Sequence, residues 1–309
     1  MSAERVGSTP GVTRFLLPCV WIAWGLAYPL MSWSLEAVDL FSSRLIIMPI
    51  SGVILLALGV LNGAPALPDR RLWGQIALTG LFNMGLFQIF LIAGVALIGP
   101  SRTPIIVYTM PTWSALLAVF VLKERITLRI ALSLALSLIA VGLVVAQETA
   151  ARTTPVGTLL TLLAAISFGI GTVLTKRMAV AGDVTINAAW QILLGTAPVL
   201  AVWLVFARDA YFHPEQVRGL LALAWLILVS NVLAYFCWFR IIRALPATVA
   251  SLTTLVVPCV GFASSALLTT APIAWTDFLA LGLILVAVTL ALGHRESPKW
   301  PEPKQPDAQ

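Results

Sequence analysis

Apolar residues fall in long blocks, each about as long as a helix that crosses hydrocarbon, separated by short stretches that hold charges, prolines and glycines. Taking those stretches as boundaries places helices over residues 15–34, 37–61, 73–98, 99–122 and 127–146, then over 155–174, 183–207, 217–242, 245–269 and 273–293. The pattern thus predicts an all-α integral membrane protein with ten transmembrane helices. Residues 1–14 are polar and precede the first block, which is too long for a signal-peptide core and lacks a small-residue cleavage site, so it is expected to stay as the first span. The proline-rich, polar end from residue 294 to 309 is expected to be a disordered tail.

Composition narrows the choice between a membrane protein and a large soluble core. Hydrophobic residues make up 60% of the chain and charged residues 10%, too few charges to build a water-soluble surface. Cys19, Cys237 and Cys259 all lie inside apolar blocks, without the paired spacing of a zinc or redox motif, and read as packing residues.

Charge then gives an orientation. Of the 19 basic residues, the alternation of spans places Arg5, Arg14, Arg70, Arg71, Lys123, Arg125, Arg129, Lys176, Arg177, Arg240, Arg243, Arg295, Lys299 and Lys304 on one side. Arg102, Arg152, Arg208 and Arg218 fall on the other, and Arg44 lies within a span. Basic residues are held on the cytoplasmic side, so both termini are expected there, with the protein in the inner (plasma) membrane.

The two halves, 15–146 and 155–293, resemble each other. Pro111 pairs with Pro258, 147 positions on, and the same register sets Ile126 against Ile273 and Leu132 against Leu279, while Trp24-Gly25 resembles Phe168-Gly169. A unit of five helices is odd, so the second copy must enter the membrane from the opposite face. The charges follow: Lys123 and Arg125 have no basic counterpart near Ala271, and Lys176 and Arg177 have none after the first span. Two inverted five-helix repeats are a recurring plan of secondary transporters, with the solute site near the midplane.

On these residues the chain resembles the drug/metabolite transporter superfamily, ten-helix branch, in which each half is an EamA-type repeat. The resemblance rests on Trp24-Gly25, Arg44, the proline-centred fourth helix running into LKERITL with Glu124, and the second-half LPATVASLTTLVVP. Ala271 departs from it, standing where a glutamate is often found. The mid-span aromatics make the chain similar to the aromatic amino acid exporters of bacterial inner membranes. The resemblance implies a central cavity lined by helices one, three, four, six, eight and nine, with five and ten outside.

Several constellations could carry transport. Trp21, Trp24 and Tyr28 are spaced i, i+3 and i+7, one face of a straight helix, and could grip a ring or simply pack. Asn231, Tyr235 and Trp238 repeat the arrangement in helix eight, Asn83, Phe87 and Gln88 lie in helix three, and Phe168 is the counterpart of Trp24. Amides at depth either bind solute or bond neighbouring helices. Pro111 and Pro258 each remove a backbone donor, marking matched breaks that could gate the path, with Tyr108, Thr109, Thr112 and Trp113 around the first. Arg44 is either functional or snorkels to the nearer interface, and its place close to the helix start favours snorkelling.

No Asp or Glu falls near the middle of any predicted span, so coupling to protons through a buried carboxylate is disfavoured. No phosphate loop, catalytic triad or metal-ligand spacing is found, and neither enzyme activity, a metal nor a cofactor is expected. The expected partners are a small-molecule substrate and the lipid bilayer, not nucleic acid, and a homo-oligomer stays open. The resulting reading is an alternating-access exporter of small neutral metabolites, aromatic or other apolar amino acids first. A broad exporter of lipophilic drugs and a membrane-embedded enzyme are the rivals.

Overall fold

The computed structural model describes residues 10–121, 127–150, 155–178, 182–206, 210–244, 256–270 and 273–292. The 294–309 tail, the turn with Lys123, Glu124 and Arg125, Ala271, and most of LPATVASLTTLVVP lie outside the described residues. Among those described, every element is helical, apart from one antiparallel bridge between Val38 and Phe212. Helices satisfy their own backbone, which is what a hydrocarbon solvent demands.

In chain order the elements are α1 (Pro10–Gly25), α2 (Ala27–Ala37), α3 (Leu40–Leu61), α4 (Trp73–Gly80), α5 (Phe87–Val107), α6 (Met110–Val121), α7 (Leu128–Ala150), α8 (Val156–Met178), α9 (Val184–Phe206), α10 (Val217–Trp225), α11 (Ala234–Ala244), α12 (Val256–Leu268) and α13 (Trp275–Leu292). Two π-helical stretches, Leu81–Leu86 and Leu226–Leu233, join α4 to α5 and α10 to α11 into long rods. Among the described residues six helices are long and apolar enough to cross a membrane, and the bent pair α1 and α2, counted as one span, makes a seventh. Three apolar helices, Met110–Val121, Val256–Leu268 and Trp275–Leu290, are shorter.

The first span is not the straight helix that the i, i+3, i+7 reading required. α1 and α2 bend by 41° at Leu26. Pro29 has no N–H for the carbonyl of Gly25, four residues back, and its ring crowds that oxygen. The freed Gly25 carbonyl accepts from Ser264 Oγ of α12 at 3.4 Å. The adjacent Ser265 Oγ donates at 3.0 Å to the carbonyl of Pro100, which Pro104 leaves without its helical partner. Two neighbouring serines of α12 thus meet two proline-freed carbonyls on separate helices.

The boundary expected at residue 99 is a true break inside α5. Gly99 adopts φ +82°, a conformation that side chains other than glycine's rarely take, and Pro100 restarts the helix. A second break at Tyr108 and Thr109 stands just before Pro111, which is the second residue of α6. Pro258, expected to mark the matching break, is the third residue of the described α12, and residues 245–255 before it lie outside the described residues. α3 starts at Leu40 rather than near residue 37 because Asp39 caps it, its Oδ1 accepting from Ser42 N–H at 3.2 Å.

Glycines set how closely the rods approach. A Cβ on Gly80 would lie 2.8 Å from the carbonyl oxygen of Gln191, and one on Gly195 would lie 3.0 Å from both Gly80 O and Gly85 N. The α4–α5 rod and α9 therefore touch backbone to backbone, the close packing that small residues provide in membranes. Elsewhere α3 packs on α9, α7 on α13, and α8 on both α5 and α6, while α1 meets α11 and α12 and α2 meets α10.

At one end of the bundle Asp277, which is fully buried, ties α13 to the first half. Its Oδ1 lies 3.4 Å from Arg102 Nε and accepts from Gln147 Nε2 at 3.0 Å, Gln147 Oε1 accepts from Arg102 Nη2 at 2.7 Å, and Asp277 Oδ2 accepts from Ala274 N–H at 2.8 Å.

Candidate functional site

The aromatic residues of α1 and α11 meet across the two halves. Trp24 packs edge-on against Tyr235, with ring centroids 5.9 Å apart, and tilted against Trp238 at 5.6 Å. All three rings are half-buried, and Val20, Cys237 and Ile241 back the cluster. Trp24 Nε1 donates to the carbonyl of Ser230 at 3.0 Å, while Ser230 Oγ donates to Ala23 O at 2.7 Å. That carbonyl lies in the π-helical stretch, whose wider turns aim backbone groups away from the helix axis.

The other π-helical stretch is treated alike. Phe82 O accepts from Ser167 Oγ of α8 at 2.8 Å, and Ser167 stands directly before Phe168. Phe82-Asn83 and Ser230-Asn231 are 148 positions apart. In each stretch, then, the carbonyl just before an asparagine is capped by a side chain from the leading helix of the opposite half. Sequence reading singled out the asparagines and missed Ser167 and Ser230, which share no repeat spacing that could have marked them.

The two asparagines do different work. Asn83 Nδ2 donates to Gln191 Oε1 at 3.3 Å and sits 3.5 Å from Thr175 Oγ1, while its buried Oδ1 has no hydrogen-bond partner. Asn231 Nδ2 donates to Leu226 O at 2.6 Å within its own π-helical stretch. Phe168 packs against Phe87 at 5.1 Å.

Because of the bend at Leu26, Tyr28 leaves the face of Trp21 and Trp24. It is buried against Gly261 of α12, where an added Cβ would come within 2.9 Å of its ring. Tyr108 is buried at the helix break, and Trp113 Nε1 donates at 3.0 Å to Thr109 Oγ1, whose hydroxyl in turn donates to Ile106 O at 2.7 Å. The nominated residues therefore form several small groups along the interface of the halves rather than the wall of one chamber. Trp24, Tyr235 and Trp238 are together, Gln88 joins Arg44, and Asn83, Tyr28 and Trp113 each have their own neighbours.

Arg44 overturns the expectation of snorkelling. It is 1% exposed, with Nε donating to Ser43 Oγ at 3.3 Å and Nη1 to Gln88 Oε1 at 3.4 Å. Gln88 is eleven residues before the break at Gly99, a depth of roughly 16 Å along the helix, so the guanidinium reaches inward instead of toward the near surface.

A vestibule of about 390 Å³ opens where α2 ends and α3 begins, lined by Leu35, Asp39, Leu40, Phe41, Ala96, Phe206, Ala210 and Tyr211. None of the nominated residues lines it. Tyr211 Oη donates to Leu35 O at 2.5 Å, and its pKa is raised by burial and then by the charge of Asp39, so the phenol stays a neutral donor. Among the described residues, no three His, Cys, Asp or Glu side chains converge as metal ligands would.

A bundle of long apolar helices with polar groups buried between them is the architecture of a membrane-embedded protein. The sequence model of the EamA-like transporter family matches residues 13–146 and again 155–293, and the chain belongs to that family. It is 24% identical over 293 residues to the uncharacterized transporter sll0355 of Synechocystis, covering 89% of this chain and 88% of that protein. It is 24% identical over 197 residues to the uncharacterized transporter YoaV of Bacillus subtilis, covering 62% of this chain and 66% of that one. It is 28% identical over 214 residues to the WAT1-related protein At3g02690, chloroplastic, of Arabidopsis thaliana, covering 66% of this chain and 50% of that one. A solved crystal structure superposes with a TM-score of 0.62 at 18% identity, over 92% of this chain and 98% of the other, a likeness of fold. The chain is a multi-pass membrane protein of a transporter family.

Proposed function

We propose that this transporter exports small neutral metabolites, with aromatic or other apolar amino acids as the first class, by alternating access of two inverted five-helix repeats across the inner membrane. The observation that carries the reading is the cluster of Trp24, Tyr235 and Trp238, half-buried where the first helix of one half meets the eighth span. Such rings present flat apolar faces beside a tyrosine hydroxyl, which suits a planar solute.

The inverted arrangement draws support from reciprocal contacts. Gly25 abuts Val260 and Gly261 of α12, and Gly169 abuts Trp113 and Ser114 of α6; Trp113 and Ser114 correspond to Val260 and Gly261 at the 147-residue register, and the two glycines are 144 positions apart. The family match on each half supports it too. Ten spans follow if the bent pair counts as one and the three shorter apolar helices each belong to a span. The excess of basic residues at one side supports cytoplasmic termini: a reporter fused after Arg71 should be active in the cytoplasm and one fused near Asp209 outside it, and the reverse would overturn the orientation.

Radiolabelled uptake into proteoliposomes holding only this protein, across an amino acid panel, tests the substrate class. Aromatic amino acids should move down their gradient with no imposed pH difference, since no carboxylate lies at mid-span to carry a proton. An absolute need for a proton gradient would contradict that expectation.

A further inference from the structure

Arg44 is a buried cation with no counter-charge among the described residues. Its Nη2 has no hydrogen-bond partner. Its two contacts, at 3.3 and 3.4 Å, are long, and both partners are neutral. A lone charge desolvated at this depth is costly, and where proteins keep one it is paired or meets a ligand.

We infer that Arg44 and Gln88 form the point where the carboxylate of a transported solute is held. The inference rests on the proposed transport of amino acids and adds the group by which they are recognised. The charge arithmetic favours a single carboxylate group: one buried guanidinium is met by one negative charge, and its unused edge matches the two oxygens of a carboxylate. Gln88 is itself buried, and its Oε1 already holds Nη1, which fixes the plane of the fork. Leu40 and Phe41, which line the vestibule, lie four and three residues before Arg44 on the same helical face, so the arginine stands one turn beneath the vestibule wall.

Thermal unfolding of the purified protein tests this with four probes: L-phenylalanine, 3-phenylpropionate, which keeps the carboxylate without the amine, phenylethylamine, which lacks the carboxylate, and chloride. The two carboxylates should raise the melting temperature of the wild type, and phenylethylamine and chloride should not. Gln88→Glu places a competing carboxylate beside Nη1; it should melt no lower than the wild type yet need about tenfold or more 3-phenylpropionate for the same shift. Arg44→Gln should lose the response, and if it does not fold, Gln88→Glu carries the test alone. A response to phenylethylamine or chloride equal to that for 3-phenylpropionate, or an unchanged response in Gln88→Glu, overturns the assignment. If 3-phenylpropionate binds as expected but no amino acid of the panel is transported, the carboxylate site stands and the amino acid reading falls. If the panel is transported while phenylethylamine stabilises as well as phenylalanine, the carboxylate site alone falls.

Discussion

Gly80→Leu should destabilise the protein by about 1–3 kcal/mol or more, whereas Gly74→Leu, two turns earlier in the same helix, should change little. The contrast follows from what a side chain would meet. A Cβ at Gly80 comes within 2.8 Å of the Gln191 carbonyl oxygen and 3.0 Å of its Cα, which are backbone atoms that cannot rotate away, while nothing lies within 4 Å of a Cβ at Gly74. Relief requires α4 and α9 to separate, and that movement strips the contacts around Gly85 and Gly195 as well. Melting in detergent, followed by the monodisperse fraction, measures the effect. Equal stability of the two variants would show that the helices do not cross this closely.

Asp277→Ala should cost about 3 kcal/mol or more, because it removes the acid from a buried network and leaves Arg102, Gln147 and the Ala274 N–H without it. Asp277 is fully buried while the Arg102 side chain keeps 19% exposure, so the arginine recovers part of its solvation, and the loss belongs at the lower end of the range for buried pairs. Asp277→Asn keeps the shape and one acceptor and should lose less. The same melting assay separates them, and an Asp277→Ala protein as stable as the wild type would remove the network from the account.

What could be read from sequence depended on how local each signal was. The break at Gly99 and the disruption before Pro111 were legible because a missing Cβ or a missing N–H acts on the chain next to it. The bend in the first span also has a local cause in Pro29, but its effect falls on a carbonyl four residues upstream, and a straight-helix reading of Trp21, Trp24 and Tyr28 overlooked it. Asn83 and Asn231 marked the π-helical stretches as polar positions but not as π-helix: Leu81–Leu86 and Leu226–Leu233 otherwise read as ordinary apolar helix, and the contacts that cap Phe82 O and Ser230 O set them apart. Arg44 shows the same limit. Its distance from the helix start argued for snorkelling, while the contact that draws it inward is to Gln88, 44 residues away.

Uptake by single-ring variants in proteoliposomes tests the central claim most directly. Trp24 packs against both Tyr235 and Trp238, and Trp24→Ala removes the ring face proposed to stack on the solute, a contact worth about 0.5–1.5 kcal/mol, so it should weaken aromatic amino acid uptake severalfold at normal expression. Tyr235→Ala should act similarly. Trp203, whose Nε1 donates to Ser42 Oγ at 2.8 Å on α3, sits on α9 rather than on the helices that carry the cluster, and serves as the control. Unchanged uptake in Trp24→Ala and Tyr235→Ala, with impaired uptake in Trp203→Ala, would place the solute elsewhere and contradict the account.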